Sequence, residues 1–260
     1  MSKPILFRNR RQGKYHVNMP HANDDLPNKR ILMARISTWI ETISVPEFHE
    51  YKRRHIRYAL ADDFEREHGS VETYGDFLFP EPIKQQHELI MSFLFLSQAT
   101  EILQQTEYYF RRYPFSNLPV SREDHARNMC EFYFSQFYVV ENRIKEVMKH
   151  LKAFGMANTN DVGKIVRQFQ KEFDQELRMR NRAIHHEPFD DPDLDRLLIT
   201  KVMSTSPDLS DKGWDREHLH HYRKFASSWS KRARRRTADV KVFLARISHR
   251  DECIGVLKEG

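Results

Sequence analysis

Three properties of the sequence predict an all-α fold. Only eight glycines stand among 260 residues, where an average usage of about 7% would give roughly 18, so punctuated turns are few. Three successive long segments repeat their apolar residues every three or four positions, the period of a helix with one buried face. None of the three shows the strict alternation of a half-buried strand.

The elements follow in order. Residues 1–28 hold Pro4, Pro20 and Pro27 among scattered Asn and Asp without a sustained period, and read as an irregular arm. Leu32, Ile36, Trp39, Ile40 and Ile43 fall at helical spacing and predict a helix over residues 29–44. Ser44-Val45-Pro46-Glu47 supplies a capping hydroxyl, an early Pro and a Glu three residues on, which starts a second helix running to Glu67 and ended by Gly69. After a Pro-bearing connection over 77–82, the three core segments begin. The chain therefore divides into an N-terminal unit over 1–80, an arm and two helices, and a helical domain over 81–260.

The first core segment, from Ile83 to Tyr113, is marked by Ile90, Leu94, Ser97, Ile102 and the Tyr108-Tyr109-Phe110 cluster, and stops before Pro114. The second starts at Ser121 with Asp124 as cap partner, follows Met129, Phe132, Tyr133, Phe137, Val140, Ile144, Val147, Met148 and Leu151, and ends at Gly155. The third begins near Asn160 or Asp161. It runs as one helix through Val162, Val166, Phe169, Phe173, Leu177, Arg180 and Ile184 to about His186. An acidic connection from Glu187 to Asp195, a short apolar helix to Ser204 and a loop through Trp214 lead to a last helix over 215–256, with Val240, Phe243, Leu244 and Ile247 on one face.

Composition excludes several functions. With 31% charged residues, a mean hydropathy of −0.74 and no apolar run approaching the roughly 18 residues of a bilayer span, no membrane segment is expected. Cys130 and Cys253 are the only cysteines, too few for a disulfide framework or a four-thiolate zinc site. The first residues carry charge early and lack an apolar centre, so no secretory signal is read and the expected location is cytoplasmic. No Walker loop, Gly-rich dinucleotide turn or serine elbow is present, which removes support for ATP hydrolysis, nicotinamide chemistry and esterase activity.

One feature breaks the apolar stripe of the third core helix. Advancing about 100° per residue from Phe173, Arg180 falls at about −20°, between Leu177 at about 40° and Ile184 at about 20°. Asn181, at about 80°, and His185, at about 120°, lie together on the flank one turn apart, whereas His186 points away. A guanidinium on a packed face is costly unless it is ion-paired or faces a cleft that holds an anion, for which phosphate is the natural choice. An imidazole beside it titrates near neutrality and can give or take a proton. The alternative is structural: a salt-bridged arginine at the core edge and a histidine that complements the helix C-terminus.

The stretch Arg180-Asn181-Arg182-Ala183-Ile184-His185 resembles the signature of the HEPN superfamily, an Arg followed by a polar residue and, after four to six positions, a His. The resemblance covers residues 83–250, with long helices before the motif and the motif closing a late core helix. It implies a HEPN-like helical bundle carrying an additional helical N-terminal segment, and a homodimer in which two copies of Arg180, Asn181 and His185 face one cleft. It further implies a metal-independent endoribonuclease without a cofactor, of the kind that acts in prokaryotic defence or stress, open to control by a regulatory protein partner. The RNA 2′-hydroxyl would attack the adjacent phosphate while His185 transfers protons, Arg180 stabilises the phosphorane and Asn181 positions them. One subgroup carries Tyr two residues after the His; this chain has Glu187 there. The rival implication is a non-catalytic HEPN-like module that binds RNA, a nucleotide or a protein.

A second signal is the run Lys231, Arg232, Arg234, Arg235 and Arg236 on the last helix, a density that phosphate contacts commonly explain. Its structural alternative is a helix face balanced by the acidic stretch from Asp190 to Asp195. Arg8, Arg10, Arg11 and Lys14 in the N-terminal arm point to the same polyanion. Glu217-His218-Leu219-His220-His221 lacks a separated second ligand pair and reads as a solvated or RNA-facing cluster, not a metal site. Glu141, Asn142 and Arg143 offer polar groups that could line the cleft of Arg180.

Overall fold

The computed structural model describes residues 37–38, 46–62, 64–65, 68, 77–81, 83–111, 120–155, 157–185, 189, 191–206 and 212–248. Among them are seven helices and no strand: α1 (Pro46–Leu60), α2 (Ile83–Arg111), α3 (Arg122–Ala153), α4 (Thr159–Glu172), α5 (Asp174–His185), α6 (Pro192–Thr205) and α7 (Lys212–Ser248). The all-α expectation holds. The basic arm with Arg8, Arg10, Arg11 and Lys14, nearly all of the helix expected over 29–44, and residues 249–260 lie outside the described residues.

Helix α3 is the axle of the bundle, because α2, α4, α5, α6 and α7 all pack on it. Its ends are those the sequence predicts. The Ser121 hydroxyl oxygen accepts from the Asp124 N–H at 3.1 Å, and Gly155 terminates the run at φ 73°, a left-handed conformation that an L side chain resists. Tyr133, Phe134 and Phe137 of α3 are fully buried and meet Phe110 of α2, Phe173, Phe189 and Trp229 of α7 ring to ring. Truncating any one of these phenylalanines to Ala would cost about 3–5 kcal/mol. Helix α7, 37 residues long, spans the bundle and packs along both α2 and α6.

The third core segment is two helices, not one. Phe173 adopts φ −116° and ψ 25°, closing α4 through its N–H to the Phe169 carbonyl at 2.9 Å, and α5 restarts at Asp174. The apolar spacing hides this break because Phe173 stays fully buried against Phe137, Phe169 and Phe243 and so serves both stripes. The segment also starts earlier than its first apolar residue suggests. Asn158 and Asp161 form a reciprocal capping box that begins α4 at Thr159.

Helix α1 stops at Leu60, short of Glu67, for a similar reason. Asp62 and Glu65 bond reciprocally, the Glu65 N–H to Asp62 Oδ1 at 2.8 Å and the Asp62 N–H to Glu65 Oε2 at 3.2 Å. That capping box starts a new turn instead of extending the old one. Helix α1 buries no residue and joins the bundle through aromatic contacts: Phe48 meets Phe77 and Phe79, and Phe79 meets His87 at the start of α2. The last helix begins at Lys212, so Trp214 is helical and not part of a loop.

Candidate functional site

Arg180 lies where the stripe places it, half-buried on the α3-facing side of α5. Its guanidinium carbon sits 4.0 Å from the centre of the Tyr138 ring on α3, a cation–π contact at close range. Its Nη1 donates to the Asn181 side-chain oxygen at 2.9 Å. Guanidinium and amide are thus physically joined, while the Asn181 side chain remains exposed. The Arg180 Nε is sealed from solvent with no hydrogen-bond acceptor, and no carboxylate lies within ion-pair distance of the guanidinium among the described residues. His185 ends α5, five residues on, so about 7.5 Å of helix axis separates it from Arg180. The orientation of the His185 side chain lies outside the described residues, as do His186 and Glu187.

The basic run divides into two sets. Arg236 is nearly buried: its Nε donates to Glu176 Oε1 at 3.0 Å, its Nη2 to Glu176 Oε2 at 2.8 Å and to the Glu172 carbonyl at 2.9 Å, and its Nη1 to Asp239 at 2.9 Å. Burial would lower its pKa, but the hydrogen bond and charge of Glu176, then those of Asp239, outweigh that and raise it. Arg232 reaches Glu176 at 3.4 Å and covers the Trp229 ring at 4.8 Å. Arg234 clamps Glu107 of α2 with two donors. These three arginines staple α7 to α5 and α2. The acidic counterparts are therefore Glu176 and Glu107, not Asp190 to Asp195, because helix packing brings those carboxylates onto the α7 face.

Lys231 and Arg235 form the other set. Both are exposed and make no ion pair among the described residues. With Lys171 of α4 and Lys224 of α7 they rim a groove of about 930 Å³ floored by the start of α5, with the Ser227 and Ser228 hydroxyls beside them. Three acids also line this groove, and each is already engaged: Glu176 by Arg232 and Arg236, Glu172 by Arg246 at 2.8 Å, and Asp174 by Arg178 at 2.7 Å. What remains unmatched is positive, so the groove attracts anions. Sequence reasoning missed Lys171 and Lys224; the signal lay in the spacing of 224, 227, 228, 231 and 235, which repeats on one helical face.

The remaining candidates separate as well. Glu141 is buried and bonded to Gln170 and Lys145, whereas Asn142 and Arg143 line a second groove together with Tyr138, the ring under Arg180. His218 is buried, not solvated, its Nδ1 at 3.3 Å from the Leu197 carbonyl and its Nε2 at 3.6 Å from Glu123. Burial lowers its pKa, against the opposing pull of Glu123. No group of three or more metal-ligating side chains occurs among the described residues. Cys130 is buried, and burial pushes its thiol pKa well up, so it is no nucleophile. No described helix is long and apolar enough to cross a membrane.

Fold and site together define an all-helical bundle in which, among the described residues, an arginine without a carboxylate partner stands near a cationic groove. No family model, no characterised protein and no solved structure matches this chain.

Proposed function

We propose that this chain is a HEPN-like, metal-independent endoribonuclease that works in the cytoplasm as a homodimer, in defence or stress. The observation that carries the reading is the state of Arg180: a guanidinium fixed by Tyr138 and Asn181, left without a carboxylate among the described residues. Other arginines of the bundle, Arg232, Arg234, Arg236 and Arg246, are each paired with an acid. A guanidinium so fixed, with no carboxylate partner among the described residues, is suited to a phosphate and to the extra charge that gathers on it in the transition state. The 2′-hydroxyl attacks phosphorus as its proton leaves to a base, and the 5′-oxygen departs as it gains a proton. His185 of each subunit serves one of these transfers. The cationic groove lies one turn back along α5, about 6 Å of axis between Glu176 and Arg180. It guides the strand through phosphate contacts.

The test is cleavage of a single-stranded RNA by wild type, Arg180→Ala and His185→Ala, with and without EDTA. The reading expects loss of cleavage in both variants, unchanged helical circular dichroism, and full activity in EDTA. Full activity in both variants would remove the nuclease from this site. The Arg180–Tyr138 contact favours a second reading, in which the arginine only anchors α5 to α3 and the chain is a non-catalytic binding module. In that case Arg180→Ala would lower the melting temperature, and wild type would bind RNA without cutting it.

A further inference from the structure

Helices α2 and α3 leave between them a groove of about 690 Å³ whose walls include His87 and Phe95 of α2 and Tyr138, Asn142, Arg143 and His150 of α3. Two partly exposed aromatic rings stand in it, Phe95 at 39% and Tyr138 at 37% exposure. Each ring already carries a guanidinium: Arg143 lies 5.1 Å from the centre of Phe95, and Arg180 lies 4.0 Å from the centre of Tyr138. Aromatic faces, guanidinium planes and an amide edge together are the chemistry that holds an unstacked base.

Charge points the same way. Of the two acids in the groove, Glu146 pairs with Lys149 at 3.7 Å and Glu88 lies 3.8 Å from the His150 ring. Arg143 makes no ion pair among the described residues and is exposed. The His87 ring packs against Phe79 at 4.6 Å, and burial lowers its pKa more than Glu88 raises it, so at neutral pH it is an uncharged donor and acceptor. The groove therefore offers the Arg143 guanidinium, two aromatic rings and neutral hydrogen-bonding groups. A purely acidic or purely apolar ligand would leave part of that set unused.

We propose that the α2–α3 groove is a base-stacking subsite for RNA, holding the nucleotide that flanks the phosphate gripped by Arg180. Tyr138 links the two positions, since it lines the groove and supports Arg180. The base lies on Phe95 and Tyr138, Asn142 reads its edge, and Arg143 meets the phosphate on its far side. This subsite rests on the ribonuclease reading for its register relative to Arg180, but its binding chemistry is measurable without cleavage.

The experiment uses a fluorescein-labelled 2′-O-methyl RNA hexanucleotide, which lacks the attacking hydroxyl, and reads binding to the full chain by fluorescence anisotropy. Phe95→Leu and Arg143→Gln alter exposed side chains that do not touch Arg180, and their melting temperatures should match wild type. Phe95→Leu should weaken binding by roughly 5- to 150-fold, the factor that about 1–3 kcal/mol per stacked base represents, and Arg143→Gln should weaken it while lowering the slope of log K against log salt by roughly 0.7 for the phosphate no longer met. An abasic oligomer of the same length should bind more weakly than the hexanucleotide and lose nothing further in Phe95→Leu. Wild-type affinity in both stable variants, or equal affinity for the abasic strand, would overturn the subsite. Tighter binding of a phosphoserine peptide than of RNA would overturn it too. Loss of cleavage in Arg180→Ala with unaltered binding in the groove variants refutes the subsite alone. The converse, stacking without any cleavage, keeps the groove and refutes the nuclease.

Discussion

Glu176 is the carboxylate whose loss should be felt most widely. Its side chain is 1% exposed, and it accepts from Arg236 Nε at 3.0 Å, from Arg236 Nη2 at 2.8 Å and from Arg232 Nη2 at 3.4 Å. Glu176→Gln keeps the shape but removes the charge, so two guanidiniums lose their common partner. Removing one member of a buried ion pair costs about 3–5 kcal/mol, because the other charge stays desolvated. Here Asp239 and the Glu172 carbonyl still hold Arg236, each at 2.9 Å, and Arg232 is 28% exposed, which places the expected loss at the low end, about 3 kcal/mol. For a chain of this size that corresponds to a fall in melting temperature of roughly 6–12 °C. Thermal denaturation followed by circular dichroism reads it directly. The double variant Glu176→Met with Arg236→Met should recover much of the loss, since apolar replacement of a whole buried pair is often neutral. A Glu176→Gln protein within about 1 kcal/mol of wild type would show that Arg232 and Arg236 are not structural staples and return them to the set of phosphate ligands.

Three further outcomes are expected. Lys224→Gln, Lys231→Gln and Arg235→Gln together should weaken RNA binding and reduce the slope of log K against log salt by roughly 0.7 for each phosphate that the groove no longer neutralises, measured by anisotropy between low and physiological salt; an unchanged slope would mean that strands bypass the groove. Burial lowers the pKa of His87, His125 and His218 below the ordinary 6.5, so the unfolded chain binds more protons and stability present above pH 6.5 is lost as pH falls toward the folded values. The share of His218, which faces Glu123, Arg122 and Lys201, is at most about 1.4 kcal/mol per pH unit, and His218→Gln should flatten melting temperature against pH between 6.5 and 5.5; an identical profile would assign the dependence elsewhere. If two subunits share one site, excess His185→Ala chains exchanged into wild type should depress activity below the share of wild-type chains, whereas activity proportional to that share would favour a single-chain cleft.

The sequence made the helices legible and their junctions much less so. Ser121 and Gly155 mark both ends of α3 because caps are local chemistry written in adjacent residues. The break at Phe173 left no such mark. A single buried ring satisfies the stripes on both sides, and the spacing continues while the axis does not. The division of the basic run was partly visible. Taking Trp229 as origin, Arg236 falls at about −20° on the stripe of Ala233 and Val240, and Lys231 and Arg235 fall on the far side. Which acids answer those arginines was not visible, because Glu107 and Glu176 reach them only after α2, α5 and α7 pack. The groove of Phe95, Tyr138 and Arg143 was hidden for the same reason: its walls come from two helices, and only Asn142 and Arg143 stood out in the chain.

Two arginines thus occupy equivalent places on two apolar stripes, and their fates differ through the carboxylates nearby. Arg236 on α7 takes Glu176, and with Arg232 it engages both oxygens of that side chain. Asp174, the other acid of α5, is held by Arg178 at 2.7 Å. Neither acid of its own helix is left for Arg180, although Glu176 lies four residues before it, where an i,i+4 pair would ordinarily form. Among the described residues, the pairing that ties α7 to α5 is therefore also what leaves Arg180 without a counter-ion, resting on Tyr138 and bonded to Asn181. A guanidinium so placed gains most from an anion brought by a ligand. Stabilising the bundle and preparing the site for phosphate are, in this chain, two consequences of where one glutamate is committed.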